Sequence, residues 1–253
     1  MPTLPRTAHR HYLWSAALVE RALREAMPLR KNLADVARVV GLHQIAAAVQ
    51  GQRAVAAMLD EQDIDARPQS VLVTTSFTTT IDRATAMLEQ VSTDYEFQRI
   101  ISSLVADAGR SAESVATTVR PRTGYVRYLS PPSCSRCAVL AGRTYRYSQG
   151  FDRHPGCDCI MVPTTVANDQ FTQDPVDLME RGLVTGLSKA DRRAIADGAD
   201  FNQVVNVRQQ KAGLRQSGRV LARNGRPTPE GIYAVATSRE DAIQRLTAAG
   251  YIR

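Results

Sequence analysis

Aromatic residues are scarce in this chain: one tryptophan, five phenylalanines and eight tyrosines among 253 residues, or 6%. There is also no run of 18 or more apolar residues, so no helix long enough to cross a bilayer is expected. The basic residues of Met1 to Arg10 are not followed by an apolar stretch, which reads against a secretory signal and for a cytoplasmic chain. Several catalytic signatures are missing, among them G-x-S-x-G, H-E-x-x-H, the phosphate-binding glycine-lysine loop and the dinucleotide glycine fingerprint. Histidine occurs only at His9, His11, His43 and His154. His9 and His11 flank Arg10 and read as solvated surface, whereas His43 lies in an apolar helical stretch and reads as a hydrogen-bonded core or interface residue. Together these absences argue against an enzyme, a membrane protein or a small-molecule binder.

What is present fits a globular chain of one or two domains. Hydrophobic residues make up 43% and charged residues 23%, close to the globular average, so wholesale disorder is excluded. The formal charge of +7 is unevenly spread, with net values of 0 over 1–110, +4 over 111–165 and +3 over 166–253. Such an excess favours an acidic partner.

Periodicity divides the chain into three regions. Residues 8 to about 66 carry helical stripes, first Tyr12, Ala16, Val19, Leu23 and Met27, then, after Pro28, Leu33, Val36, Val40, Ile45, Val49, Val55 and Leu59. Gly41 and Gly51 are expected weak points in the second stripe. Residues 70–77 are β-branched and fit a strand or a loop. A further helix is expected over 78–108. From Pro121 the texture turns to short strand-like runs at Gly124–Leu129, Thr144–Tyr147 and Cys159–Val162. Later helices are announced by Asp174-Pro175, by Ser188 with Asp191 and by Ser238 with Asp241, with Gly198 and Gly250 as stops. The fold class expected is therefore α+β and mainly α. Its parts are long N-terminal helices over 1–118, a small cysteine-bearing β module over 119–165, and a helical C-terminal region over 166–253.

All four cysteines fall inside the β module. Cys134-Ser135-Arg136-Cys137 and Cys157-Asp158-Cys159 are two close thiol pairs separated by 19 residues. Four thiolates converging on a tetrahedron suit a structural Zn2+, with His154 as an alternative ligand. Two buried thiol pairs without metal, or a disulfide formed after the chain leaves the reducing cell, fit the same spacing. A nucleophilic Cys157 with His154 as its base is the hydrolase reading. A thioredoxin-like role for C-x-x-C lacks the βαβ setting it needs.

The second charged feature is the segment 208–226. Arg208, Lys211, Arg215, Arg219, Arg223 and Arg226 follow one another at steps of three or four, with no acidic residue between them. On a helix this spacing makes one cationic ridge, suited to phosphates or to an acidic protein surface. Gly213, Gly218 and Gly225 weaken the helix, so the segment reads as an arm that orders on a partner, or as a solvated loop. No aromatic is interleaved, which points away from base stacking and towards non-specific contact with duplex DNA.

Three motifs together resemble a known family. They are Gly124-Tyr125-Val126-Arg127-Tyr128-Leu129-Ser130-Pro131, then Cys134-x-x-Cys137-Ala138-x-Leu140-Ala141-Gly142, then His154-Pro155-x-Cys157-x-Cys159. This combination resembles the cysteine-containing module of phage minor head proteins, the Mu F-like group of tailed actinobacterial phages. Ala194 to Asp200 with Gln203 to Asn206, Thr228 to Tyr233, and Gly250-Tyr251 are similar to the region that follows that module. The resemblance covers about 120–253, and the N-terminal half shares only its helical character. It implies a structural minor capsid protein acting in head morphogenesis, located in the virion and assembled in the host cytoplasm. Its partners would be the portal or the major capsid protein, with packaged DNA as a further contact. It also implies ordered turns at the cysteines, without naming a metal. A head-maturation protease is the alternative within such heads, and a free-standing zinc-stabilised DNA-binding protein is the alternative outside them.

Overall fold

The computed structural model describes residues 4–68, 77–146, 159–165, 171–207 and 225–253. Helix accounts for 62% of it and the strands are short, so the chain is mainly α with a small sheet, as expected. The chain divides into two compact units.

The first unit is built on four helices: α1 (Arg6–Ala26), α2 (Leu33–Asp60), α3 (Phe77–Leu88) and α4 (Asp94–Thr118). Pro28 ends the first stripe in a short 3-10 turn, Met27–Leu29. Asn32 then caps α2 by accepting a hydrogen bond from the Asp35 amide. A single helix over 78–108 is not what forms, because α3 stops at Leu88 and α4 starts afresh at Asp94. The cause is a capping box: Thr93 Oγ1 accepts the Glu96 amide at 3.2 Å, and Glu96 Oε2 accepts the Thr93 amide at 3.2 Å. Amides that a continuous helix would satisfy internally are satisfied by side chains at a fresh start. Of the stretch expected as strand or loop, 70–76 lies outside the described residues and Phe77 opens α3.

Gly41 and Gly51 do not break α2, which runs unbroken for 28 residues, and both glycines are buried. A Cβ built on Gly51 would stand 2.5 Å from the Gly109 carbonyl oxygen of α4. The absent side chain is what lets the two backbones approach, so this glycine serves packing at the expense of helix propensity. Towards the other end of α2 lies a core of Val36, Val40, Leu88, Phe97, Ile101 and Val105, with small residues such as Ala22, Ala26, Ala37 and Ala47.

Strands β1 (Thr123–Tyr128), β3 (Thr144–Arg146) and β4 (Ile160–Thr165) form an antiparallel sheet in the order β3-β1-β4, in the same unit. Tyr125 faces Tyr145 in register, and their rings stack with centroids 5.2 Å apart. Val126, Tyr128, Ile160 and Val162 pack with Ala54 and Met58 of α2 and Ala8 of α1. All three strand-like runs read from the sequence contain strands; β3 starts at Thr144 as expected, and β1 and β4 have ends shifted by one to three residues.

The second unit takes in 129–142, 157–159 and 173–253. It contains β2 (Ser133–Cys134), α5 (Ser135–Val139), α6 (Pro175–Glu180), β5 (Val184–Thr185), α7 (Lys189–Ala196), α8 (Phe201–Asn206), α9 (Pro229–Val235) and α10 (Arg239–Ala248). The expected helix starts are present: Asp174 caps α6, Ser188 and Asp191 form a capping box on α7, and Ser238 caps α10. Gly198 and Gly250 adopt φ of 100° and 73°, the left-handed conformation that ends a helix at little cost only for glycine. The sequence module 119–165 is shared out, with its three-stranded sheet in the first unit and its described cysteines in the second.

Candidate functional site

Cys134 and Cys137 sit on a locally well-tied turn. Cys134 ends β2 and occupies the N-cap position of α5, and Cys137 lies one turn later. The i, i+3 spacing puts both on one side of that turn. β2 pairs in parallel with β5, Cys134 opposite Thr185, and the Ser133 amide donates to the Leu183 carbonyl at 3.0 Å. Just upstream, the Gln173 side chain clasps Leu129: Oε1 accepts its amide at 2.7 Å and Nε2 donates to its carbonyl at 3.4 Å. Cys137 and Cys159 are buried, and Cys134 is half-buried.

Cys134, Cys137 and Cys159 thus belong to one compact unit. Cys157 and His154 lie outside the described residues, so neither the fourth thiol nor the alternative ligand is in view. Among the described residues, no three His, Cys, Asp or Glu side chains converge closely enough to hold a metal ion. A zinc site or a Cys157–His154 dyad would therefore need the segment 147–158.

Five residues of the basic ridge, Arg208, Lys211, Arg215, Arg219 and Arg223, also lie outside the described residues. The sixth is described, and it is held in place. Arg226 donates from Nε to the Ala249 carbonyl at 2.8 Å and from Nη1 to Gln203 Oε1 at 2.9 Å. Its guanidinium lies over the Tyr251 ring at 4.0 Å. Tyr251 is fully buried, and its hydroxyl donates to the Pro227 carbonyl at 2.7 Å. Arg226 therefore ties the C-terminal end of the basic segment to the unit.

Sequence reading did not single out Asp197, the centre of a second network. Tyr233 Oη donates to its Oδ2 at 2.7 Å and Arg239 Nε to its Oδ1 at 2.8 Å, while Arg193 lies over the Tyr233 ring at 4.4 Å. Burial alone would raise the Asp197 carboxyl, but hydrogen bonds from Arg239 and Tyr233 and the nearby Arg193 charge leave it below the usual carboxylate range. Burial first, and then the Asp197 hydrogen bond, pushes the Tyr233 phenol up. The network joins α7, α9 and α10. The signal was present in part, since Asp197, Tyr233 and Tyr251 all fall inside the C-terminal segments that resemble minor head proteins. What the sequence could not show is that these segments meet.

His11 is a correction. It was expected at a solvated surface, yet it is buried, with Nε2 2.7 Å from Glu113 Oε1 of α4. The partner lies 102 residues away, so no local pattern announces it. His43 is buried as expected, its Nε2 2.9 Å from Glu25 Oε2.

None of the described helices is long and apolar enough to cross a membrane. No curated protein and no solved structure matches the chain. A family model does match: VG15 protein, over residues 6–181. That span includes the helical N-terminal half, where the sequence resemblance was one of character alone, and stops before the C-terminal segments. The chain belongs to the VG15 protein family, a family of phage proteins.

Proposed function

We propose that this chain is a structural minor capsid protein of the phage head, of the Mu F-like minor head type, working in head morphogenesis through its surfaces and without catalysis. The observation that carries the reading is the match of residues 6–181 to a phage protein family. Two features of the molecule support it. Leu42, Ile45 and Val49 form an exposed apolar stripe at i, i+3 and i+7 along α2, more than scattered single exposures would give. The basic segment 208–226 carries six cations and no acid, and its last cation, Arg226, is anchored to Gln203 and Ala249. In this reading the partners are the portal or the major capsid protein, with duplex DNA bound without sequence preference. The four cysteines hold a structural Zn2+, and the chain resides in the virion.

Mass spectrometry of purified virions and empty heads tests the assignment. The chain should appear in both at a low, fixed ratio to the portal protein, and its absence from both particles would overturn the reading. Cys157→Ser separates the structural site from the hydrolase alternative. A structural site loses metal or folding, whereas a nucleophile leaves a folded, inactive protein.

A further inference from the structure

We propose that α1 is a proton-sensitive latch, a helix that opens from α2 and α4 as a unit of its own and is held shut by three carboxylates. α1 buries little apolar surface for its 21 residues: its buried residues are Ala8, His11, Ala22 and Ala26. Tyr12, Leu18, Val19 and Leu23 are half-buried, and Leu13 and Trp14 are exposed. By contrast α2 buries Val36, Val40, Val55, Met58 and Leu59, and α4 buries Phe97, Ile101 and Val105. Alanine methyls remove far less apolar area from water than these side chains do, so α1 lies at the low-stability end of its unit.

Polar contacts fasten it at three points. At its start Pro5 offers no capping side chain, and Glu61, just past the end of α2, takes that place. Its carboxylate accepts the Arg6 amide at 2.9 Å, the Thr7 amide at 2.8 Å and the Thr7 hydroxyl at 2.6 Å. Near the first third His11 meets Glu113 of α4, and the other ring nitrogen of His11 is buried with no partner among the described residues. At the far end Glu25 of α1 meets His43 of α2 and Arg21 of its own helix. Of the elements packed on α1, α2 thus contributes Glu61 and His43, and α4 contributes Glu113. On α4 Asp107 and Arg110 pair with each other, and β4 and the 3-10 turn carry no titratable residue. The remaining charges of α1, Arg6, His9, Arg10, Glu20 and Arg24, are exposed, and the Arg6 guanidinium lies 3.6 Å from Glu61.

An ionised carboxylate only accepts hydrogen bonds, so a proton on Glu61 sets a donor against the Arg6 amide, the Thr7 amide and the Thr7 hydroxyl, and a proton on Glu25 removes the charge that pairs with Arg21. The Thr7 hydroxyl and amide, with the Arg6 amide, hold the Glu61 carboxyl down at about 2, from 4.5. Arg21 and then His43 hold Glu25 below its usual range. A carboxyl lowered by folding contributes fully above its ordinary range and loses that contribution as pH falls towards its folded value. Acid therefore loosens α1 at its ends; Glu96, which Ser92 and Thr93 hold below its usual range, answers acid in the same way at the exposed start of α4, while the apolar side chains packed between α2, α3 and α4 carry no charge.

Trp14 is the only tryptophan in the chain and lies on α1, so acrylamide quenching of its fluorescence reports this helix alone. The near-ultraviolet difference between the protein with and without Tyr145→Leu isolates the stacked Tyr125 and Tyr145 and supplies the tyrosine signal of the rest of the unit. For the full-length protein titrated from pH 8 to 3, quenching should rise at a higher pH than the loss of the tyrosine signal. In Glu61→Gln/Glu113→Gln, quenching at pH 7.5 should already be raised about twofold with the tyrosine signal intact, as local opening without global unfolding requires. If that double variant does not fold, Glu61→Gln alone, at the exposed end of the helix, must separate the two signals in the same direction. Simultaneous loss of both signals in the wild type, or wild-type quenching in the variants at pH 7.5, overturns the proposal.

Discussion

Asp197 shows how much of the C-terminal unit hangs on single side chains. A carboxylate with a 6% exposed side chain is tolerable because Arg239 and Tyr233 donate to separate oxygens. Tyr233→Phe removes one neutral donor and leaves the ion pair, so unfolding in urea should show a loss of about 1 kcal/mol. Asp197→Ala leaves the Tyr233 hydroxyl without its acceptor and opens a gap at a buried carboxylate, while the exposed Arg239 returns to water, and should cost about 2 kcal/mol. Equal losses for the two variants would show that Asp197 is not the hub. The capping residues Asp174, Ser188, Asp191 and Ser238 were legible in the sequence because a cap and its target lie within three residues. Asp197–Tyr233, His11–Glu113 and Arg226–Tyr251 were not, since each joins residues far apart in the chain and depends on packing that no local pattern encodes.

Helices and strands were read largely correctly, and the misreadings have a common cause. Stripe counting merged α3 and α4 because the apolar spacing runs through Glu89–Thr93, where the Thr93–Glu96 box wins over periodicity. It marked Gly51 as a weak point because propensity is local, whereas the glycine answers to α4 across the interface. The contrast between two glycines checks this account. Gly51→Ala puts a methyl against the Gly109 carbonyl oxygen at 2.5 Å, backbone that cannot swing aside, and should destabilise by about 1–3 kcal/mol. Gly109→Ala meets Ala47 at ordinary contact distances, its carbonyl oxygen at 3.4 Å and its Cβ at 3.5 Å. There a gain in helix propensity of up to about 1 kcal/mol offsets the tighter contact, and thermal unfolding should move little. A milder effect at Gly51 than at Gly109 would contradict the packing.

At the scale of the whole molecule, the cysteine module and the basic segment were visible as sequence patterns but not as assembled sites. Ligand geometry and phosphate-facing surface depend on residues 147–158 and 208–224, which lie outside the described residues. Each makes a solution prediction. Protein purified without chelator should carry about one zinc per chain, lost in Cys157→Ser, and elemental analysis showing less than about a tenth of an equivalent in folded protein would favour the metal-free thiols. Duplex DNA binding should fall about a hundredfold or more between about 50 and 200 mM salt, and Arg215→Gln/Arg219→Gln/Arg223→Gln should flatten that dependence without unfolding the chain. An unchanged slope would take DNA away from this segment. The central claim is that the chain builds heads, and the measurement that tests it most directly is electron microscopy of lysates from phage unable to make it. The account predicts that lysis and phage DNA synthesis continue while normal filled heads become rare, and that supplying the chain in trans restores them. Normal filled heads at normal yield in its absence would contradict it.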